Sequence, residues 1–310
     1  MSERLRVAIL GATGHVGKVL ADGLATTHEL TLYARRPAVA AAFADALGLA
    51  VAIDGLDNLA SGEHDSLVNC IGVGDPAAVA ADPALVYRVT QAADDLALTY
   101  LAENPGCTLV NFSSGAAYCS EFAEPADDDT RAALRAADLR ADQHYGLAKL
   151  ASEGRHRAES SHGIIDLRLF SLFSRHIDVG SAFMMNDVVR CLRSGETLAT
   201  GSADNTRDYV APADLCALVG LSIGARDGAN LAVDVFSSAP VAKFELLDAM
   251  RERFGLRYVV EGGVLGVGAT GAKPKYYSLS RKAAQLGYAP SRTSLEALVQ
   301  EVETLLATTR

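Results

Sequence analysis

RVAILGATGHVG, Arg6 to Gly17, is the stretch whose reading decides the fold. An apolar run, Val7-Ala8-Ile9-Leu10, stops at three glycines, Gly11, Gly14 and Gly17. Val16, Val19, Leu20, Gly23 and Leu24 then recur at helical spacing. The pattern is strand, glycine turn, helix, the opening of a dinucleotide-binding βαβ unit. A turn without Cβ atoms lets the backbone approach a pyrophosphate, and the N–H groups and positive end of the helix then face that anion. Gly11, Thr13, Gly14, His15, Val16 and Gly17 are therefore the expected cofactor cradle. The spacing is GxxGxxG, a weak signal by itself in a chain with 27 glycines. Its place directly after the first strand favours a cofactor turn over a plain tight turn.

With 310 residues, 49% of them hydrophobic, the chain can bury one large core or two joined ones. No apolar run approaches the roughly 18 residues of a membrane span, and no signal-peptide pattern opens the sequence, so a cytoplasmic protein is expected. Cys70, Cys107, Cys119, Cys191 and Cys216 are scattered and odd in number, which fits reduced thiols rather than disulfides or a zinc site. A net charge of −10 disfavours nucleic-acid and anionic-membrane partners. An anionic ligand must be met by locally placed cations.

A second short strand, Leu30-Thr31-Leu32-Tyr33, runs into Ala34-Arg35-Arg36-Pro37. NAD-selecting folds usually place an acid here for the ribose hydroxyls, whereas a guanidinium fork suits a 2′-phosphate. Arg35 and Arg36 thus predict NADP(H), with NAD as the alternative. A helix over 38–47 and a strand around Val51 to Ile53 lead to Asp54, which can bond an adenine amino group or start a turn with Gly55. The strand Asp65 to Ile71 breaks at Gly72-Val73-Gly74, where small residues let a ligand lie against the backbone, so Gly72 joins the cofactor set.

A helix over 83–103 precedes the strand Thr108 to Phe112 and then Ser113-Ser114-Gly115-Ala116-Ala117-Tyr118. Residues 121–141 read as an acidic excursion with a short helix over 130–137. The next helix carries Tyr145 and Lys149, and Ile164 to Phe170 makes the sixth strand. This cadence predicts an α/β fold with a doubly wound parallel sheet. Residues 1–170 are expected to form the NAD(P)-binding domain, with a returning segment around 207–236, and 171–310 mainly a small α/β substrate-binding cap. A helix over 183–194, a strand over 231–236 and a last helix with the capping box Thr293-x-x-Glu296 complete the reading.

Tyr145-Gly-Leu-Ala-Lys149 sets a phenol and an ammonium four residues apart on one helix face. Free phenols titrate near ~10, and an adjacent ammonium favours the phenolate, which makes such a pair suited to proton transfer near neutral pH. YxxxK is common by chance. It gains meaning from the glycine turn upstream and from a serine at the preceding strand end, where a hydroxyl can orient a carbonyl for hydride transfer.

These motifs, with Arg207-Asp-Tyr-Val210 and the tail Leu286-Gly-Tyr-Ala-Pro290, make the chain similar to an extended short-chain dehydrogenase/reductase. The branch it resembles holds nucleotide-sugar epimerases, dehydratases and reductases, and the likeness spans nearly the whole chain. The resemblance implies Ser114, Tyr145 and Lys149 as the catalytic trio, with Lys149 also on the nicotinamide ribose. It implies a nucleotide-sugar substrate gripped by Arg207, with Ser114 and Ser171 as further contacts, and a homodimer formed by the helices at 83–103 and 142–160. Lys273, taken from its charge alone, is a further candidate substrate contact. Gly115 and Ala116 stand where dehydratases of the branch carry Asp-Glu, and Ala116 stands where 3,5-epimerase/reductases carry Cys. Dehydration and 3,5-epimerisation are accordingly disfavoured. Ser171 replaces an Asn common in relatives. Arg175, His176, Arg190 and Arg193 are candidates for local positive charge. The expected activity is an NADPH-dependent ketoreductase acting on a nucleotide-diphosphate 4-keto-6-deoxy sugar. The alternatives are a 4-epimerase holding NAD and a non-catalytic NADP-binding regulator.

Overall fold

The structure is a computed structural model that describes residues 4–135, 137, 139–140, 143–225, 228–262 and 273–307. Its first half alternates strands and helices: β1 (Arg6–Leu10), α1 (His15–Leu24), β2 (Glu29–Ala34), α2 (Pro37–Leu47), β3 (Ala52–Gly55), β4 (Ser66–Asn69), α3 (Pro76–Ala81), α4 (Ala84–Glu103), β5 (Thr108–Ser114), α5 (His144–Ala158) and β6 (Ile164–Leu169). Then come β7 (Ser171–Leu172), α6 (Met184–Ser194), β8 (Thr197–Gly201), β9 (Thr206–Arg207), β10 (Tyr209–Val210), α7 (Pro212–Gly224) and β11 (Asn230–Asp234). The chain closes with β12 (Val241–Ala242), α8 (Lys243–Phe254), β13 (Arg257–Glu261), β14 (Lys275–Tyr276) and α9 (Ser294–Ala307).

Seven parallel strands form the main sheet in the order β11-β6-β5-β4-β1-β2-β3. This is the doubly wound Rossmann architecture read from the sequence. Period-two alternation divides β1 between two cores. Val7 and Ile9 pack with α1 and α7, while Ala8 and Leu10 pack with Ala97, Tyr100 and Leu101 of α4. Gly23 lets α7 close on α1, since a Cβ there would collide with the Cys216 side chain. The order in which strands are added reverses between β1 and β4, and ligands of such sheets bind at the carboxyl ends of strands flanking that reversal. The glycine turn after β1 and the Ile71-Gly72 break after β4 meet there, with Gly11 packed on the Ile71 backbone.

A second core, including Phe173, Met185, Val189, Leu198, Leu247, Met250, Leu298 and Val302, holds α6, α8 and α9 beside the sheet. Between the cores lies an aromatic cluster of Tyr118, Phe122, Phe170 and Tyr276 around Ala126. Residues 130–135 and 137 are not helical, contrary to the expectation for 130–137. Asp127 and Thr130 bond to each other and to the local backbone, and the Ala126 N–H donates to the Tyr277 carbonyl, so the chain is spread along the segment that follows β14. The five cysteines are all free thiols. No helix among the described residues is long and apolar enough to cross a membrane.

Candidate active site

The glycine turn is shaped by backbone crowding. Gly11 has φ +79, and its N–H donates to the Tyr33 carbonyl at 3.0 Å. A Cβ on Gly17 would lie 2.5 Å from the Gly11 carbonyl oxygen and 2.8 Å from the Ala12 Cα. The α1 N-terminus has no side-chain cap and no acid in its first turn, leaving its amides and positive end for an anion. These are the features a dinucleotide pyrophosphate requires. His15 is the first helical residue. Burial, with His176 and Lys18 nearby, pulls its pKa down to about 4, and its Nε2 lies 2.7 Å from the Ser174 Oγ.

Arg35 and Arg36 are exposed at the end of β2, beside this turn, and form no ion pair among the described residues. Asp54 sits at the end of β3 in register with Tyr33. Its Oδ1 accepts from the Asn58 amide at 2.6 Å and the Gly55 N–H at 2.7 Å, which hold the carboxyl below the ordinary range. That oxygen is thus committed to the turn reading of Asp54.

On the other side of the reversal, β5 delivers Ser114 and α5 delivers Tyr145 and Lys149. Lys149 is buried, and its Nζ donates to the Phe112 carbonyl at 2.8 Å. Gly72 faces it, since a Cβ at Gly72 would lie 4.0 Å from that Nζ. Gly146 is obligatory in space, because any Cβ there would run into the Ala116 carbonyl. This close approach sets Tyr145 beside the turn at Gly115–Tyr118. Glu153, two turns beyond Tyr145, accepts from Ser113 Oγ at 2.5 Å and pairs with Arg168 at 2.6 Å, latching α5 to β5 and β6. The spacing of Tyr145, Lys149 and Glu153 at every fourth residue was a signal for this latch.

Tyr276 joins the site from residues remote in sequence. β14 pairs with β9 so that Tyr276 stands in register with Arg207. The Tyr276 hydroxyl lies 3.1 Å from Ser114 Oγ, and the phenol is near enough to Tyr145 for mutual electrostatic influence. Burial pushes the Tyr276 pKa well up. Arg207 is 5.8 Å from its ring centre and Lys273 4.8 Å, and Arg207 also donates to the Thr206 and Lys273 carbonyls. Tyr276 thus touches Ser114 and carries Arg207 and Lys273 over its ring, while Lys149 is held on the Phe112 carbonyl of β5. Ser171, on β7, lies in register with Tyr209 of β10. Arg175 forks onto Glu301, Arg190 pairs with Asp187, Arg193 donates to the Leu305 carbonyl, and His176 meets Asp22. Arg175 and Arg193 tie their segments to α9.

Residues 7–235 match the model of the NAD dependent epimerase/dehydratase family. The chain belongs to this family. Comparison with curated proteins gives no match. Among solved structures, the family member is similar to MoeE5 in complex with UDP-glucose and NAD, at 17% identity and TM-score 0.79, over 98% of this chain and 100% of the other. A UDP-glucose 4-epimerase from Stenotrophomonas maltophila with bound NAD and formylated UDP-arabinopyranose gives 14% identity and TM-score 0.82 over 99% of each chain. A UDP-glucose 4-epimerase from Thermotoga maritima with UDP-glucose gives 16% and 0.81 over 99% of this chain and 100% of the other. At these identities the likeness establishes the shared fold.

Proposed function

We propose that this family member is an NADPH-dependent ketoreductase of a nucleotide-diphosphate sugar, with a 4-keto-6-deoxy sugar as the substrate class. The reading is supported by Ser114 at the end of β5, Lys149 bonded to the Phe112 carbonyl of that strand, Tyr145 one helical turn before Lys149, and the exposed pair Arg35-Arg36 at the end of β2. The cradle of Gly11, Thr13, Gly14, His15, Val16 and Gly17 would hold the cofactor pyrophosphate, Arg35 and Arg36 a 2′-phosphate, and Gly72 and Lys149 the nicotinamide ribose. Bound there, the nicotinamide supplies hydride chemistry at the carbonyl carbon.

The chain's own groups handle the oxygen. Ketone reduction adds a hydride to carbon and a proton to oxygen, and Tyr145 delivers that proton. The Ser114 hydroxyl bonds the same oxygen and stabilises the charge that develops on it. Lys149, fixed by its bond to the Phe112 carbonyl, stabilises the phenolate left when Tyr145 has given up its proton. Arg207 and Lys273 meet the substrate diphosphate, and Phe122 and Phe170 keep water from the sugar side of Ser114. Gly115 and Ala116 supply no acid or base for water loss.

A second reading, a 4-epimerase, draws support from the 4-epimerases in the same fold and from a trio that serves oxidation equally well. Loss of NADPH absorbance with a panel of nucleotide 4-keto sugars tests the first reading. Tyr145→Phe should cut turnover by about a hundredfold or more while NADPH stays bound. Tightly held NAD released on denaturation, with nucleotide-sugar isomerisation and no NADPH consumption, would replace the reductase by the epimerase. A homodimer through α4 and α5 is part of the same proposal, measured by sedimentation.

A further inference from the structure

Ser114 Oγ has two acceptor positions and one proton to give. One acceptor position takes the Ala116 N–H at 3.2 Å. The other faces the Tyr276 hydroxyl at 3.1 Å. Either hydroxyl can donate in this pair, and the stronger acidity of a phenol favours Tyr276 as the donor. Both acceptor positions are then filled by the protein. The remaining Ser114 O–H must point out of the cluster.

We infer that Tyr276 is a positioning residue that fixes Ser114 as a hydrogen-bond donor to the substrate oxygen. The inference rests on the ketoreductase reading. A ketone oxygen, and the alkoxide it becomes, can only accept, so a serine free to rotate spends part of its time presenting a lone pair to it. Tyr276 removes that orientation. Its surroundings suit the task. The ring is wedged against Phe122 and Phe170, with centroids 4.9 Å and 5.1 Å away, so the phenol cannot swing off Ser114. Burial keeps its proton on at any working pH. Register with Arg207 ties its position to the strand that carries the diphosphate-gripping side chain.

The test is a double-mutant cycle on the full-length chain with NADPH and a nucleotide 4-keto sugar. Tyr276→Phe keeps the ring and the Arg207 and Lys273 contacts while removing the donor. It should lower kcat about tenfold with KM within about twofold of the parent, the size of one hydrogen bond. In the Ser114→Ala background the same change should have less than about a twofold effect. An undiminished kcat in Tyr276→Phe, or an equal loss in both backgrounds, assigns Tyr276 to packing and overturns the inference. If the wild type turns over no such sugar, the ketoreductase reading fails separately. The bond itself is read without turnover by placing 3-fluorotyrosine at position 276. Its single fluorine resonance should move in Ser114→Ala, and a resonance that stays put refutes the bond.

Discussion

Gly17→Ala asks whether the turn after β1 has room for anything but glycine. The added Cβ would lie 2.5 Å from the Gly11 oxygen, 2.8 Å from the Ala12 Cα and 3.1 Å from the Ala12 carbonyl carbon, all of them backbone atoms. Ordinary contact begins at 3.4 Å, so something must move by 0.9 Å. The turn cannot retreat freely, because Gly11 and Ala12 both donate to the Tyr33 carbonyl and Gly14 donates to Gly11. The first turn of α1 must shift instead, carrying away the amides that would meet a pyrophosphate. Overpacking of this kind costs about 1–3 kcal/mol. The better helix propensity of alanine returns up to about 1 kcal/mol, leaving a net loss near 1 kcal/mol. Loss of even one charge-assisted bond weakens a dinucleotide by about tenfold or more. Calorimetric titration with NADPH, together with a thermal melt, measures both. A variant that binds NADPH as the parent does, with an unchanged midpoint, would refute the assignment of this turn to the cofactor.

Two further outcomes follow from the same geometry. Replacing Arg35 and Arg36 together by alanine should weaken NADPH by about tenfold while NADH changes little, since only one of them carries the 2′-phosphate. Equal weakening of both, measured as dissociation constants, removes the NADP preference. His15 gives a pH dependence. Its pKa falls from 6.5 in the unfolded chain to about 4 in the fold, so between those values the unfolded state binds the extra proton. The contribution of His15 is therefore complete above pH 6.5 and drains away as pH falls toward 4, by about 3 kcal/mol at most. The difference in unfolding free energy between the parent and His15→Asn should shrink over that window, and a pH-independent difference contradicts it.

The local parts of the site were legible because their chemistry is written in short spacings. GATGHVG and Tyr145-x-x-x-Lys149 each lie within a single turn or helix, and glycine or helical periodicity fixes their geometry. The helix expected over 130–137 failed for a reason that is also local in part. Asp127 and Thr130 offered the backbone a rival set of hydrogen bonds, and the segment after β14 then captured Ala126. Arg175 and Arg193 looked like free charge in the sequence. Their partners, Glu301 and Leu305, lie more than a hundred residues away.

By itself the sequence determined the alternating parallel fold and the glycine turn after β1, and it named the serine, tyrosine and lysine to which the proposed function gives proton transfer. The fold and the turn follow from steric and periodic constraints among near neighbours, while Ser114 is picked out by the family resemblance. Only the tertiary structure decided how Ser114 is aimed. That depends on Tyr276, 162 residues away, and on β14 pairing with β9 in the register that sets Tyr276 opposite Arg207. A one-residue slip of that register would turn the phenol to the opposite face, and no spacing within the chain encodes which register forms.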